Sequence, residues 1–597
     1  MASTTTMEDK GTDESCIRLP GFGLPYNDWG SSGDWITRSI SAVMSWDHAV
    51  LTVREKCMLF FMNQITDKPE WHFKVHDENI VARWRVEADE LDWDAEVIEE
   101  GDMSVDMFNY CIEELRAKAA VYEKTGLISV LDATSCVLKS DTTISVDMKE
   151  QLRKAVAPLE DVPNHQKDWH PGSDGKVLDL VHPSLFPLIY ERSRILPYAT
   201  IGLGDCMEAI GQGEIVPNPL IALGGNTPPT ESDLWSSRFQ WLPCNVSFPD
   251  GENARIDSYI NNLHPVDHKN LYHVIEKIIT KAVPFWNIVY QCHNEGALTS
   301  TKRVNCEAVS FELPANVEEY PPDDFDGDED EFYERVEALR IYDKPEPGDF
   351  ASLDVTAEAI EDKFRFLGEG DKKIQVIVKL ANIHLTPEKP EYDGGSWHIE
   401  GQLNEHIVAT ALYYYGNENI TDSHLSFRTK VDAEYFSQSI SYEQNDFGGI
   451  AKIFGVSNDE SNVQEIGAVL TRENRFIAFP NGFQHRVENF KLVDPTRPGH
   501  RKILALFLVA PTIPIISTAN VPPQQRDWWL RQVKVGGSMV SNLPAELIDM
   551  IGDSVDDFPI GLAEARVLRD ELMLERGKMD QDVTSHMADN SFSFCEH

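Results

Sequence analysis

Two histidines and a glutamate stand where they could bind one metal ion. His398 and Glu400 lie two residues apart, and His485 follows in the segment Phe479–Val487. Side chains i and i+2 of a β-strand project from one face, so a strand over Trp397–Glu400 would present the first two together. Two histidines and one carboxylate are the ligand set of mononuclear iron(II) sites, which keep three octahedral positions open. A zinc hydrolase would use the helical pattern His-Glu-x-x-His, which this sequence lacks.

A basic residue that could hold a co-substrate follows the second histidine. Arg501 opens the apolar run Ile503–Val509, which predicts a strand next to the one that carries His485. The open metal positions suit a bidentate 2-oxo acid, and arginine binds the far carboxylate of such an acid through paired hydrogen bonds. Arg501 is therefore the predicted anchor, and Arg497 and Lys502 remain alternatives.

The 2-oxo acid also needs a polar side chain on a neighbouring strand. Asn382 and Tyr413 are the predicted candidates. Strand alternation does not separate Tyr413 from Tyr414 or Tyr415, and each of these side chains is equally consistent with an aromatic residue that packs inside a barrel.

Short strands surround these residues. After about residue 370 the hydrophobic pattern becomes β-branched and partly alternating, with turns such as Gly394-Gly395 and Pro480-Asn481-Gly482 between apolar runs. Frequent turns between short strands are typical of a sandwich or barrel. The predicted strands are Ile374–Leu385, Trp397–Glu400, Ala409–Tyr415, Leu425–Thr429, Ala468–Leu470, Arg475–Phe479, His485–Leu492 and Lys502–Val509.

Helices are predicted on both sides of this region. Ser104–Lys124 has one apolar stripe with Ser104 as its cap, and a second stripe over Leu271–Val283 is expected to break at Pro284. Further helices are predicted over Asp47–Gln64, Gln525–Val533, Pro544–Ile551 and Ile560–Arg576. The predicted order is a flexible arm (1–40), a mainly helical region (41–316), an acidic linker (317–334), the strand-rich core (335–523), and C-terminal helices with a polar tail (524–597).

Composition excludes several classes of protein. The net charge of -46 would repel a phosphate backbone, so we expect no nucleic-acid partner. The longest apolar run, Ile503–Ala510, is far shorter than the roughly 20 residues of a membrane-spanning helix, and the first residues lack a secretory-signal pattern. The nine cysteines contain no Cys-x-x-Cys pair, which indicates reduced thiols and a location in the cytoplasm or nucleus.

The order of the motifs carries a family resemblance. A Gly-Gly turn, His398-x-Glu400, Phe-Pro-x-Gly-x-x-His485-x-Val and then Arg501 resemble the double-stranded β-helix, or jelly roll, of prolyl-hydroxylase-like Fe(II)/2-oxoglutarate oxygenases over residues 370–512. The resemblance implies that His398, Glu400 and His485 hold Fe(II), that Arg501 anchors 2-oxoglutarate, and that succinate and CO2 are released. Glutamate replaces the commoner aspartate, and the spacing from His485 to Arg501 is longer than usual.

A second resemblance covers most of the chain. The segments Val181–Tyr190, Ser258–Pro265, Trp397–His406 and Ser517–Gln524 are similar to a large fungal family known as domain of unknown function 4246. It implies an α+β fold with an oxygenase-like core, and it implies no substrate. We therefore expect a dioxygenase that acts on a small molecule or peptide. A non-catalytic scaffold with the same barrel, or a cupin-type metalloenzyme that does not use 2-oxoglutarate, remains an alternative.

Overall fold

Antiparallel β-structure dominates the half of the chain that carries the candidate ligands. The structure is a computed structural model that describes residues 16–26, 48–96, 98–133, 135–219, 234–294, 302–322, 325–351, 362–367, 370–443, 446–535, 543–555, 558–589 and 591–594. Most of the predicted arm (1–40) lies outside these residues.

The elements are named in chain order. The strands are β1 (Leu19–Pro20), β2 (Gly23–Leu24), β3 (Ile128–Val130), β4 (Val137–Ser140), β5 (Asp168–Trp169), β6 (Val177–Val181), β7 (Leu188–Ile189), β8 (Arg194–Ile195), β9 (Glu214–Ile215), β10 (Phe239–Gln240), β11 (Cys244–Ser247), β12 (Arg255–Ile256), β13 (Phe311–Glu312), β14 (Ile341–Tyr342), β15 (Lys373–Leu385), β16 (Glu391–Tyr392), β17 (Ile407–Glu418), β18 (His424–Lys430), β19 (Val463–Leu470), β20 (Phe476–Pro480), β21 (Gln484–Val487), β22 (Phe490–Lys491) and β23 (Gly499–Val509). The helices are α1 (Val53–Asp67), α2 (Trp71–Lys74), α3 (Glu78–Glu90), α4 (Trp93–Glu96), α5 (Val105–Thr125), α6 (Val146–Glu160), α7 (Lys269–Asn294), α8 (Glu329–Glu337), α9 (Ala433–Ser439), α10 (Phe447–Phe454), α11 (Arg526–Val535), α12 (Ala545–Asp553) and α13 (Leu562–Asp589).

A ten-stranded antiparallel sheet forms the centre of the molecule. Its main path runs β12-β11-β15-β23-β17-β20-β4-β3, and β6 and β5 join it beside β15. The long strands β15, β17 and β23 occupy the middle and are buried along most of their length. Their β-branched and aromatic residues suit a pleated surface that is covered on both faces.

The region 41–316 contributes more than helices. Six strands of the large sheet, β3, β4, β5, β6, β11 and β12, come from it, so the prediction of a mainly helical flanking region is incomplete. These strands are two to five residues long, which is too short for a hydrophobic period to appear in the sequence.

A second, three-stranded sheet carries one of the candidate ligands. Its order is β19-β18-β21, and His485 lies in β21. The predicted strand over Trp397–Glu400 is reduced to a single bridge, in which His398 pairs with His485 in the antiparallel sense. One bridge is nevertheless enough to place both histidines side by side.

Helix α7 covers the outer face of the large sheet. It continues through Pro284 to Asn294, so the predicted break at this proline is wrong. The residues that follow, Phe285 and Trp286, are buried, and the Phe285 ring lies 4.8 Å from that of Phe476 in β20. Apolar burial on this scale outweighs the hydrogen bond that a proline removes.

The C-terminal helix is longer than the sequence predicts. Helix α13 extends to Asp589, through residues expected to form a polar tail. Its polar side chains are paired with distant parts of the chain: Arg569 contacts Asp168 at 2.7 Å, and Glu571 pairs with Arg238. The predicted acidic linker also differs from expectation, since α8 begins inside it at Glu329.

Two further observations concern the chain as a whole. None of the described helices is long and apolar enough to cross a membrane. The cysteines whose side chains are described are free thiols, and five of them are buried.

Candidate metal centre

The structure brings His398, Glu400 and His485 together. One ligand atom from each residue lies within 4.8 Å of the others. Nε2 of His485 is 3.5 Å from Oε1 of Glu400, and Nε2 of His398 is 4.0 Å from the same oxygen. The imidazole rings lie 4.3 Å apart. Three ligand atoms that converge at these distances can bind one metal ion on one side and leave the other side open.

The backbone around His398 fixes the ring that it carries. Nδ1 of His398 lies 2.8 Å from the carbonyl oxygen of Ser396, so Nδ1 carries the proton and Nε2 keeps its lone pair for a metal. The ring of the preceding residue, Trp397, contacts the guanidinium groups of Arg428 and Arg486, whose central carbons lie 4.6 and 4.5 Å from the ring centre. These cation–π contacts hold the short ligand segment in place.

The side chain of Asn481 holds the main chain of Glu400 in place. The amide oxygen of Asn481 accepts the N–H of Glu400 at 2.9 Å. The Asn481 amide nitrogen donates to the carbonyl oxygens of Glu400 and Ile407, at 2.9 and 3.1 Å. Because Asn481 belongs to the turn before β21, it connects the two ligand segments.

Electrostatics favour the protonation states that bind metals. Burial lowers the pKa of His398, and the neighbouring His485 lowers it further. Burial alone would raise the pKa of Glu400, but the hydrogen bond with His485 and the interaction with His398 bring it down to about 2. At neutral pH, His398 is therefore neutral and Glu400 is ionised, as metal coordination requires.

The three side chains open into a cavity of about 450 Å³, which lies within the usual range of small-molecule sites. One wall is the inner face of the large sheet. The opposite wall comes from α13. The lining from the sheet includes Lys379, Ala381, Ile383, Leu412, Tyr414, Ile503, Ala505 and Phe507, and the lining from α13 is Met573, Arg576, Gly577, Met579 and Asp580.

Arg501 is buried beside this cavity. It is 1% exposed and shares a strand face with the wall residues Ile503 and Ala505. Its Nη1 donates to Oγ of Ser423 at 3.2 Å, while Nε and Nη2 lack a hydrogen-bond partner among the described residues. The guanidinium lies 5.7 Å from the ring of Tyr414, which lines the cavity. Burial lowers the pKa of Arg501, and an anion would satisfy both free N–H groups.

The two alternative anchors lie elsewhere. Arg497 is exposed and pairs with Asp494 at 3.0 Å. Lys502 projects from the other face of β23, where its ammonium contacts Glu160 of α6 at 2.7 Å. Neither side chain lines the cavity, so among the three predicted anchors Arg501 is the one that lies beside it.

Asn382 and Tyr413 do not reach the cavity, so the prediction that they bind the oxo acid is corrected. Asn382 donates to Glu160 at 2.7 Å and accepts the hydroxyl of Tyr415 at 3.0 Å. The hydroxyl of Tyr413 donates to Asn474 at 2.8 Å. All three side chains lie on the outer face of the sheet. Tyr414, one residue along β17, lines the cavity instead.

Several residues of the cavity wall are not predicted from the sequence. Lys379 could have been found because it alternates with Ala381 and Ile383 along one strand face. Arg576 and Asp580 come from α13, whose place over the cavity depends on distant ion pairs. Arg576 stacks on Trp241 with its guanidinium carbon 3.7 Å from the ring centre and pairs with Glu405. Asp580 accepts the N–H of Ile399, and burial raises its pKa to about 6.

Known structures resemble the chain only remotely. A BsmA homologue from Methylobium petroleophilum aligns with 12% identity and a TM-score of 0.15, over 28% of this chain and 57% of that one. Oxalate decarboxylase from Bacillus subtilis aligns with 11% identity and a TM-score of 0.11, over 31% and 33%. The chain thus spans less than two thirds of the length of either structure. No curated protein matches.

The family comparison covers far more of the chain. A family described as "Protein of unknown function (DUF4246)" matches residues 105–532. Its N-terminal domain, "Domain of unknown function DUF4246, N-terminal", matches residues 19–87. The matched residues include the three candidate metal ligands, Arg501 and the whole of both sheets around them, whereas α13 lies beyond the match. The chain therefore belongs to the DUF4246 family.

Proposed function

We propose that this protein is an Fe(II)- and 2-oxoglutarate-dependent dioxygenase. One observation carries the proposal: His398, Glu400 and His485 converge on a cavity beside which Arg501 is buried, and two of its guanidinium nitrogens have no hydrogen-bond partner in the described part of the chain. A metal site alone would not require a buried, half-satisfied arginine. A co-substrate that chelates the metal at one end and carries a carboxylate at the other accounts for both features.

The strand order supports the proposal. The central strands β15-β23-β17-β20 form one sheet, and β19-β18-β21 with the His398 bridge form the other. After β17 the chain forms β18 and β19 of the small sheet, returns to the large sheet at β20, enters the small sheet again at β21 and ends in the large sheet at β23. Crossings of this kind between two sheets are typical of a double-sheet jelly roll. We infer that the core is a jelly roll with its ligands at the end of one sheet.

The residues present fit the proposed cofactors. His398, Glu400 and His485 would hold Fe(II), and Arg501 would bind the distal carboxylate of 2-oxoglutarate, with the Tyr414 hydroxyl nearby. Together, when bound, iron and 2-oxoglutarate supply oxidising chemistry that releases succinate and CO2. The chain itself positions these groups. Its apolar wall residues Leu412, Ile503 and Ala505 limit access of water to the site.

The experiment uses the full chain with Fe(II) and 2-oxoglutarate under air, with succinate formation measured by NMR. Oxygenases of this kind consume 2-oxoglutarate slowly without their substrate, so the unknown substrate does not prevent the assay. We expect succinate from the wild type, a background rate from His398→Ala, and wild-type behaviour from His165→Ala, which removes an exposed histidine.

Two results would separate the proposal from its alternatives. Equal succinate formation by the wild type and His398→Ala would overturn the assignment. Binding of iron without stabilisation or turnover by 2-oxoglutarate would instead indicate a metalloprotein that uses no oxo acid. Absence of both metal binding and 2-oxoglutarate binding would indicate a non-catalytic protein.

A further inference from the structure

A second group of metal-binding side chains lies on the wall of the same cavity. His170, Asp179 and His182 each offer one ligand atom within 4.8 Å of the other two. Asp179 lies in β6, and His182 follows the end of this strand. Both histidines line the cavity that contains Glu400. The proposed dioxygenase activity does not use this group.

The carboxylate of Asp179 is only half satisfied. Its Oδ2 lies 2.8 Å from Nδ1 of His170, whereas Oδ1 is buried and has no hydrogen-bond partner among the described residues. The residue is 6% exposed, and His182 is 5% exposed. A buried carboxylate oxygen without a partner is costly, so it points to a ligand. The imidazoles of His170 and His182 beside it supply nitrogen ligands for the same metal ion.

We propose that His170, Asp179 and His182 form a second divalent-cation site in this cavity. Two nitrogens and one carboxylate oxygen suit a borderline ion such as Zn²⁺, Mn²⁺ or Co²⁺. Three protein ligands leave at least one coordination position, and the two histidines place that position towards the cavity. At that position the bound cation would coordinate an anionic oxygen of the molecule that occupies the cavity.

Two neighbouring groups make this site weaker than the one at Glu400. The N–H of Ser184 donates to Nδ1 of His182 at 3.2 Å, so coordination through Nε2 moves the ring proton to Nδ1 and gives up this long hydrogen bond. Lys379 lines the same wall, and its charge acts on Asp179. We therefore expect the second equivalent of metal to bind at least about tenfold more weakly than the first.

The test is a Co²⁺ titration of the metal-free full chain, followed by visible absorption and calorimetry. We expect two equivalents for the wild type. Asp179→Asn should keep only the tight equivalent, and His398→Ala should keep only the weak one. His384→Gln removes an imidazole from the neighbouring strand β15 and should leave both equivalents in place.

His170→Gln keeps the test decisive if Asp179→Asn does not fold, because the His170 side chain is 25% exposed. It should lose the weak equivalent and retain the wild-type melting curve. A single equivalent in the wild type that disappears in His398→Ala would overturn the proposal and leave a hydrogen-bonded cluster only. One equivalent that survives His398→Ala and disappears in His170→Gln would support the second site and contradict the dioxygenase assignment.

Discussion

The main chains of His398 and His485 exchange two hydrogen bonds, from each N–H to the carbonyl oxygen of the other, at 3.2 and 3.0 Å. This is the hydrogen-bonded pair of an antiparallel ladder. The separation of the two imidazoles is therefore set by main-chain pairing and does not depend on a bound metal. A site preorganised in this way would bind an ion without reordering the ligand segments.

The first prediction concerns Asn481, which holds the main chain of Glu400. Asn481→Ala removes three hydrogen bonds that keep the two ligand segments together. We expect metal affinity to fall about 10- to 100-fold, the usual effect of losing a group that orients ligands. Calorimetry with Mn²⁺ measures the change. Asn489→Ala, at an exposed position nearby, serves as the control, and equal affinities for the two variants would contradict the prediction.

The second prediction concerns the 2-oxoglutarate anchor. Arg501→Ala should weaken 2-oxoglutarate binding by about 2 to 3 kcal/mol, roughly 30- to 150-fold, because it removes charge-assisted hydrogen bonds. Arg497→Ala and Lys502→Ala should bind 2-oxoglutarate as the wild type does. Thermal stabilisation by 2-oxoglutarate in the presence of Mn²⁺ distinguishes the three variants. A larger loss from Lys502→Ala than from Arg501→Ala would reverse the assignment.

The third prediction compares two buried arginines. Arg475 is fully buried, and its guanidinium contacts Asp67 at 2.7 Å and Asp141 at 2.8 Å. Arg501 has one hydrogen bond to a neutral hydroxyl. Arg475→Met should therefore lower the free energy of unfolding by about 3 to 5 kcal/mol, whereas Arg501→Met should leave it unchanged or raise it. Urea denaturation without ligands provides the measurement, and comparable losses from both would refute this account.

The fourth prediction is a pH dependence of stability. Asp132 contacts Lys118 at 2.8 Å and Arg303 at 2.7 Å. Burial alone would raise its pKa, but these cations bring the pKa well below the ordinary value of 3.8. Since the pKa of Asp132 is depressed in the folded protein, its two ion pairs contribute their full stability above pH 3.8. This contribution is lost as the pH falls further. Asp132→Asn should cost about 3 kcal/mol at pH 5 to 8.

This cost should shrink below pH 3.8, where the wild-type carboxyl also becomes neutral in the unfolded chain. Chemical denaturation of the wild type and Asp132→Asn at several pH values gives the difference directly. Asp161→Asn, at an exposed position, should show no such trend. A difference between the wild type and Asp132→Asn that stays constant down to pH 3 would contradict the explanation.

How far the sequence predicts the site depends on the range of the interactions involved. His398, Glu400 and His485 could be identified because strand alternation and the turns around them are local signals. The sequence could not show which of Tyr413, Tyr414 and Tyr415 faces the cavity, because a shift of one residue moves a side chain to the opposite face of the sheet. The pairing of β17 with β23 contains a bulge between Tyr414 and Gly416, which alternation alone does not reveal.

Helix α13 illustrates the other limit of prediction. Its sequence has little apolar periodicity, so the prediction ended at Arg576. The helix continues past Arg576 because Met579 and Val583 form one buried cluster with Trp235, Ile399 and Leu403, which lie far away in the chain. Such partners are brought into position only by the complete fold. For the same reason the short strands β4, β6 and β11 could not be predicted from their own sequences.

Helix α13 forms one wall of the cavity, and the candidate ligands come from another part of the chain. The candidate ligands and Arg501 lie within the region that matches the family, whereas Met573, Met579 and Asp580 form the facing wall from a helix outside that region. Substitutions at Met573 are therefore expected to change the size of the cavity without moving a candidate metal ligand, whereas Asp580 accepts the N–H of Ile399 between two of these ligands. Under the proposed function, the position of Met573 would offer a way to alter which molecule the cavity admits while the candidate ligands stay in place.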